Sequence, residues 1–102
     1  MGAANTADGN FSSAVGFVNT ASGTDSSAFG DFNFVTGDGG NAFGRNNQVF
    51  GLNGNAFGGD NIVNGDNATA VGNGNTADGA NSFAGGFNSQ ATVADSIALG
   101  NG

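Results

Sequence analysis

The chain has 102 residues, among them 21 Gly and ten Phe, and it lacks Pro, Cys, His, Trp and Tyr. Eight acidic residues, all Asp, stand against one base, Arg45, for a net charge of −7. Gripping phosphates or an anionic bilayer needs clustered Lys or Arg, so nucleic acid and direct membrane contact are both excluded as partners of this segment.

From the first residues onward, Gly keeps a seven-residue beat. It stands at positions 2, 9, 16, 23, 30, 37, 44, 51, 58, 65, 72, 79, 86 and 100, and Val93 is the one departure. Two residues before every beat from Ala7 to Ala98 stands Ala or Val. The first half-repeat reads Asn5-Thr6-Ala7-Asp8-Gly9 and the next Ser12-Ser13-Ala14-Val15-Gly16; the pair then recurs as Asn19-Thr20-Ala21-Ser22-Gly23 and Ser26-Ser27-Ala28-Phe29-Gly30. Alternate sevens differ, so the true period is fourteen and about seven pairs fill residues 1–102 as a single array. Repetition this strict predicts a solenoid, and a disordered linker of similar composition has no reason to keep the phase. Met1-Gly2 already lies in phase, so the array is expected to be a fragment of a longer protein.

A heptad of helical coiled coil fails on chemistry. Gly in every seventh place costs a helix roughly 1 kcal/mol each relative to Ala, and the apolar a/d seam with its flanking Glu and Lys is missing. Within each half-repeat the pattern alternates with period two, as in a strand, while Gly and the Asn, Asp or Gly after it supply turns. The predicted architecture is all-β: a flattened parallel β-roll solenoid with 14-residue coils, each two short strands and two tight turns. Coils stacked about 4.8 Å apart give a rod of roughly 34 Å. The small column of Ser12, Ala14, Ser26, Ala28 and their equivalents faces inward, since strands so close in sequence leave no room for Leu or Phe between them. Asn5, Asn19, Asn33, Asn47, Asn61 and Asn75 form an Asn column, expected to make a structural amide ladder at a turn.

Taken along the chain, the outer face of the first strand of each coil carries Thr6/Asp8, Thr20/Ser22, Phe34/Thr36, Gln48/Phe50, Ile62/Asn64, Thr76/Asp78 and Gln90/Thr92. This face is polar except at Phe34, Phe50 and Ile62 on the three middle coils. Those three form either an adhesive patch or side chains tucked against a neighbouring protomer or a turn residue such as Phe32. The second strand carries Ser13/Val15, Ser27/Phe29, Asn41/Phe43, Asn55/Phe57, Thr69/Val71, Phe83/Gly85 and Ile97/Leu99. Large members face small ones, and Gly85 faces Phe83, as in a packed layer. Val15, Phe29, Phe43, Phe57, Val71, Phe83, Ile97 and Leu99 are therefore expected to bury themselves in an interface between chains, at about 1.5–3 kcal/mol for each large side chain covered. An interior of Ala, Ser and Gly does not by itself offset a chain entropy of roughly 1–2 kcal/mol per residue, so the monomer is not expected to fold alone.

Catalysis is not expected. Without His, Cys or Lys no ordinary nucleophile–base pair can be assembled, and no cofactor is implied. The Asp residues avoid stacking on adjacent coils: Leu52 separates Asp38 from Asp66, and Asp8 and Asp78 stand at opposite ends of their column. That spacing disfavours a built-in calcium ladder and leaves only an ion at a seam between chains. Arg45 stands one coil after Asp31, at what the spacing reads as a turn position, and it is expected either to make a surface ladder pair worth under ~1 kcal/mol or to neutralise charge where three chains meet.

Asp95-Ser96-Ile97-Ala98-Leu99-Gly100 resembles the Asn-Ser-Val-Ala-Ile-Gly motif of YadA-like head domains of trimeric autotransporter adhesins. Asn81-Ser82-Phe83-Ala84-Gly85-Gly86 and Asp25-Ser26-Ser27-Ala28-Phe29-Gly30 match less fully, and the Asn-Thr-Ala-x-Gly halves at Asn5, Asn19 and Asn75 are also similar to the family pattern. The resemblance covers all the coils. It implies a left-handed β-roll, a homotrimer with the apolar strand inward, and display on the surface of a Gram-negative bacterium beyond its outer membrane. It further implies a head that attaches the cell to extracellular-matrix protein or another surface through avidity. Phe29, Phe43 and Phe57 depart from the Val and Ile usual in the family and imply a wider or differently packed axis, while the absence of Lys removes a basic ligand-binding patch. The alternative function is structural, the shaft of a phage tail fibre or an extracellular filament. Ice binding is disfavoured, since Phe34, Gln48, Phe50 and Ile62 interrupt the Thr face.

Overall fold

A computed structural model describes residues 2–101, so Met1, whose phase entered the fragment expectation, and Gly102 lie outside the described residues. Among the described residues the chain consists of strands, turns and bends with no helix. Each coil pairs one short strand with one long strand. Short strands run over Thr6–Ala7, Thr20–Ala21, Phe34–Val35, Gln48–Val49, Ile62–Val63, Thr76–Ala77 and Gln90–Ala91. Long strands run over Ser13–Phe17, Ser27–Asp31, Asn41–Arg45, Asn55–Gly59, Thr69–Asn73, Phe83–Phe87 and Ile97–Asn101, with Gly2–Ala3 pairing at the start.

All long strands and Gly2–Ala3 lie in one eight-stranded sheet, and all short strands lie in a second, seven-stranded sheet. Every pairing is parallel, and the register advances by one coil: Ala28 faces Ala42, Phe29 faces Phe43 and Gly30 faces Gly44. The molecule measures 34 × 21 × 10 Å, matching a stack of strands in its long dimension and a thin two-sheet roll in its short one. The expected solenoid of 14-residue coils is therefore the observed one.

The roll is thin because of what lies inside it. Its core is Ala14, Ala21, Ala28, Val35, Ala42, Val49, Ala56, Val63, Ala68, Ala70, Ala77, Ala84 and Ala91, and among the described residues no fully buried side chain is larger than Val or Asn. Ser26 is buried in the small column as well, its Oγ donating to Gly23 O at 2.6 Å. Ser12 is only half-buried.

The two Gly columns answer to different demands. Gly16 has φ 124° and recurs at Gly30, Gly44, Gly58 and Gly72 with similar angles, a region that only Gly enters readily. Gly23 has no positive φ, yet a Cβ on it would overlap the carbonyl oxygen of Gly37 one coil on. One column is Gly for its backbone angle as well as for close approach, the other for close approach alone.

Two residues after each beat the chain adopts the left-handed conformation regardless of side chain. Phe11 (φ 60°), Val18 (54°), Phe32 (58°), Asn46 (57°), Asn67 (58°) and Asp95 (62°) all do so. This bend turns the chain from one sheet to the other, and it locks coils together: Phe32 N donates to Phe17 O at 2.9 Å, and Asn46 N to Asp31 O at 2.8 Å.

The Asn column is an amide ladder. Asn33 Nδ2 and Asn33 N both donate to Asn19 Oδ1, at 3.0 and 3.1 Å. The same Nδ2 also serves Phe29 O at 3.0 Å and Gly44 O at 2.9 Å, satisfying corner carbonyls that the strands leave free. Asn47 repeats the arrangement, and at the end of the column Ser89 Oγ takes over, its one proton shared between Gly85 O and Gly100 O at 2.9 and 3.1 Å. Buried amides so thoroughly paired give the corner one geometry.

Candidate functional site

Each sheet carries an apolar surface on its outer face. On the long-strand sheet the side chains that point away from the core stack coil upon coil. The rings of Phe29 and Phe43 lie 5.0 Å apart with 2° between their planes, and those of Phe43 and Phe57 lie 5.4 Å apart with 4° between theirs. Val15 stands before this stack and Val71 after it in the same register column. The Phe column is half covered by its own neighbours and half open, Phe43 being 37% and Phe57 39% exposed. Leu99 and Ile97 at the far end are open to solvent.

Gly85 interrupts the column for a steric reason. A Cβ there would come within 2.9 Å of the Phe83 ring and 3.1 Å of Leu99 Cδ2. Phe83 thus leans across the space that a side chain at 85 would occupy, which is the volume compensation expected from the sequence. Beside the rings, Asn41 Nδ2 donates to Asn55 Oδ1 at 3.0 Å. The face is an apolar ladder with one amide pair beside it.

On the short-strand sheet Phe34 and Phe50 meet edge to face, with centroids 6.1 Å apart and 62° between planes. They are 41% and 43% exposed. Ile62 is half-buried and shares its column with Phe34, with Gln48 between them. The structure therefore brings Phe34 and Phe50 into contact and sets Ile62 one coil further along.

Phe32 does not cover this pair. Its ring packs edge to face on Phe17, at 5.5 Å and 83°, along the corner between the sheets. Of the two tucking partners named for Phe34, Phe50 and Ile62, the turn residue is thus engaged elsewhere. Phe17 and Phe32 form an exposed corner pair that column-by-column reading misses, because they are neighbours on adjacent columns and adjacent coils. Leu52, exposed two residues after Phe50, lies at the opposite corner, where the chain passes from the short strand Gln48–Val49 to the long strand Asn55–Gly59. The signal that would have found the Phe17–Phe32 pair is the same fourteen-residue phase read diagonally.

Next to Leu52 lies a shallow hollow of about 360 Å³, lined by Thr24, Asp25, Asp38, Gly39, Leu52 and Asn53. Of its two carboxylates, that of Asp38 already serves the fold. Asp38 Oδ1 accepts from Thr24 N at 2.9 Å, as Asp66 Oδ1 accepts from Leu52 N at 2.9 Å. Elsewhere Asp60 accepts from Asn46 Nδ2 and Asp78 from Asn64 Nδ2, both at 2.7 Å. Each of these Asp residues bonds the preceding coil, and among the described residues no three acidic groups gather as a metal site would require.

Asp31 and Arg45 are register partners, but both close long strands rather than occupy a turn, and the structure records no ion pair between them. The chemistry available on these surfaces is apolar and hydrogen-bonding contact, without a nucleophile–base pair.

The family model described as the YadA head domain repeat matches residues 1–18, 21–47, 51–75, 64–89 and 77–102, which is nearly the whole chain. A comparison with curated proteins returned no match.

Proposed function

The chain belongs to the YadA head domain repeat family, and from that membership we propose that it is the head of a trimeric adhesin displayed on a bacterial surface, holding its host matrix or another surface through its polar sheet. The observation that carries the assembly is the uncovered ladder of Phe29, Phe43 and Phe57 on the long-strand sheet. Three rolls packed through that face bury it around a common axis, with Val15, Val71, Phe83, Ile97 and Leu99 extending the contact along the rod. The left-handed coil sense follows the family. The flat, parallel stacking of the rings supports an axis filled by aromatic layers in place of the family's Val and Ile.

Attachment then falls to the outward sheet. The exposed Phe34–Phe50 pair, with Ile62 beside it, is the apolar feature on an otherwise polar strand face. Three such pairs per head and many heads per cell make a weak contact strong by avidity.

The experiment is a triple substitution, Phe34→Ser, Phe50→Ser and Ile62→Thr, which restores the polar pattern of the neighbouring coils. Attachment to matrix-coated surfaces is expected to fall sharply while the melting temperature holds. A clear drop in melting temperature would mean that these side chains seal a protomer boundary instead, and full retention of attachment would shift the contact to the polar turns.

A further inference from the structure

Val93 breaks the Gly beat without breaking the turn. Ser96 N donates to Val93 O at 3.1 Å, just as Ser26 N donates to Gly23 O at 3.2 Å and Ser82 N to Gly79 O at 3.2 Å. Val93 is 67% exposed and has no positive φ. The backbone of this column therefore admits a side chain. What forbids one elsewhere in the column is the next coil, since a Cβ on Gly37 would overlap Gly51 O, one on Gly65 would overlap Gly79 O, and one on Gly79 would overlap Val93 O. In every case the overlap lies toward the C-terminal end of the rod.

The other Gly column behaves differently at the same end. Gly100 meets nothing within 4 Å of a built Cβ, yet it keeps φ 116° and remains Gly. The last coil thus retains the Gly that its own backbone angle demands and loses the one that only a following coil demands.

We propose that Val93 is a stop residue: its side chain occupies the place where the turn carbonyl of an eighth coil would sit, so no coil of this geometry stacks on the short-strand sheet at that end. The block applies equally to a continuation of the chain and to the first coil of a second copy arriving end to end. It is confined to one sheet. On the long strand Ile97–Asn101 Gly100 keeps its usual conformation, so a following segment can pair there without closing a turn onto the short-strand sheet. Open parallel edges template further pairing, and a single β-branched side chain halts it on one side.

The test appends a copy of residues 75–88 after Gly102, which continues the repeat in phase, in the full chain with Val93 and in the same chain with Val93→Gly. In the array, Asp78 N and Gly79 N donate to Ala91 O of the next coil, at 2.9 and 3.1 Å. The amides of Thr92 and of residue 93 are the equivalent donors for the appended coil, and hydrogen exchange reads them directly. With Val93 their exchange is expected to stay as fast as in the unextended chain. With Val93→Gly it is expected to slow about tenfold or more as the coil docks. Equal slowing in both chains, or slowing in neither, overturns the proposal, because either result means that the side chain at 93 does not control stacking.

Discussion

At the scale of the residue, the roll asks for unusual backbone angles from ordinary side chains. The left-handed bend holds Asn46, Asn67 and Asn81, which tolerate it, and it also holds Val18 and Phe32, which do not. A β-branched residue at φ 54° costs roughly 1–2 kcal/mol against a relaxed backbone. Asn46 takes the same angle and donates to Asp60 Oδ1 at 2.7 Å, whereas the next coil offers Phe32 to position 18, so relief of the backbone angle alone carries the gain there. Val18→Asn is therefore expected to raise the unfolding free energy by about 1 kcal/mol, read from chemical denaturation, and a loss of stability would mean that Val18 packs more than it strains.

These angles were hidden from sequence reading for a plain reason: the column mixes Ala4, Val18, Phe32, Asn46, Asp60, Gly74 and Asn88, so no residue type announces it. The Asn ladder was legible for the opposite reason. Identical amides at fourteen-residue spacing have few places to go except onto one another, and their donors and acceptors close along the column. The two Gly columns looked alike as letters, and only the Cβ directions and φ angles separate them.

At the scale of the element, the two strands of a coil differ in length and in what they show to the outside. The long strand offers Phe and Val on its outer face, while the short strand offers mostly Thr, Gln and Asp. The alternation made both outer faces readable, and the inner faces followed from the Ala and Val beat. The grouping of Phe34 with Phe50 was read from the same alternation, whereas the Phe17–Phe32 corner pair was not, because it joins residues on neighbouring coils and different columns that no outer face contains. The proposed division of labour predicts unequal tolerance to charge. Phe43→Asp sets three carboxylates into a dry layer of the proposed trimer, at several kcal/mol each, and is expected to abolish assembly in size-exclusion chromatography. Thr76→Asp on the short strand is expected to leave the elution volume unchanged. Equal tolerance at the two positions would mean that the outer faces of the two sheets have been assigned the wrong way round.

At the scale of the whole molecule, a roll 10 Å thick has little interior to work with. Its core is Ala and Val, its larger apolar side chains are on the outside, and its backbone and amide ladders run the length of the rod. Burying the aromatic ladder against two further copies supplies the apolar area that the interior lacks, at about 25 cal/mol for each Å² removed from water. The claim on which adhesion, avidity and the inward face all depend is thus that the folded unit is three chains. Multi-angle light scattering of the 102-residue chain at micromolar concentration tests it most directly. The expected result is a single species of three chain masses with the circular dichroism of β-sheet; a stable, folded species of one chain mass would contradict it.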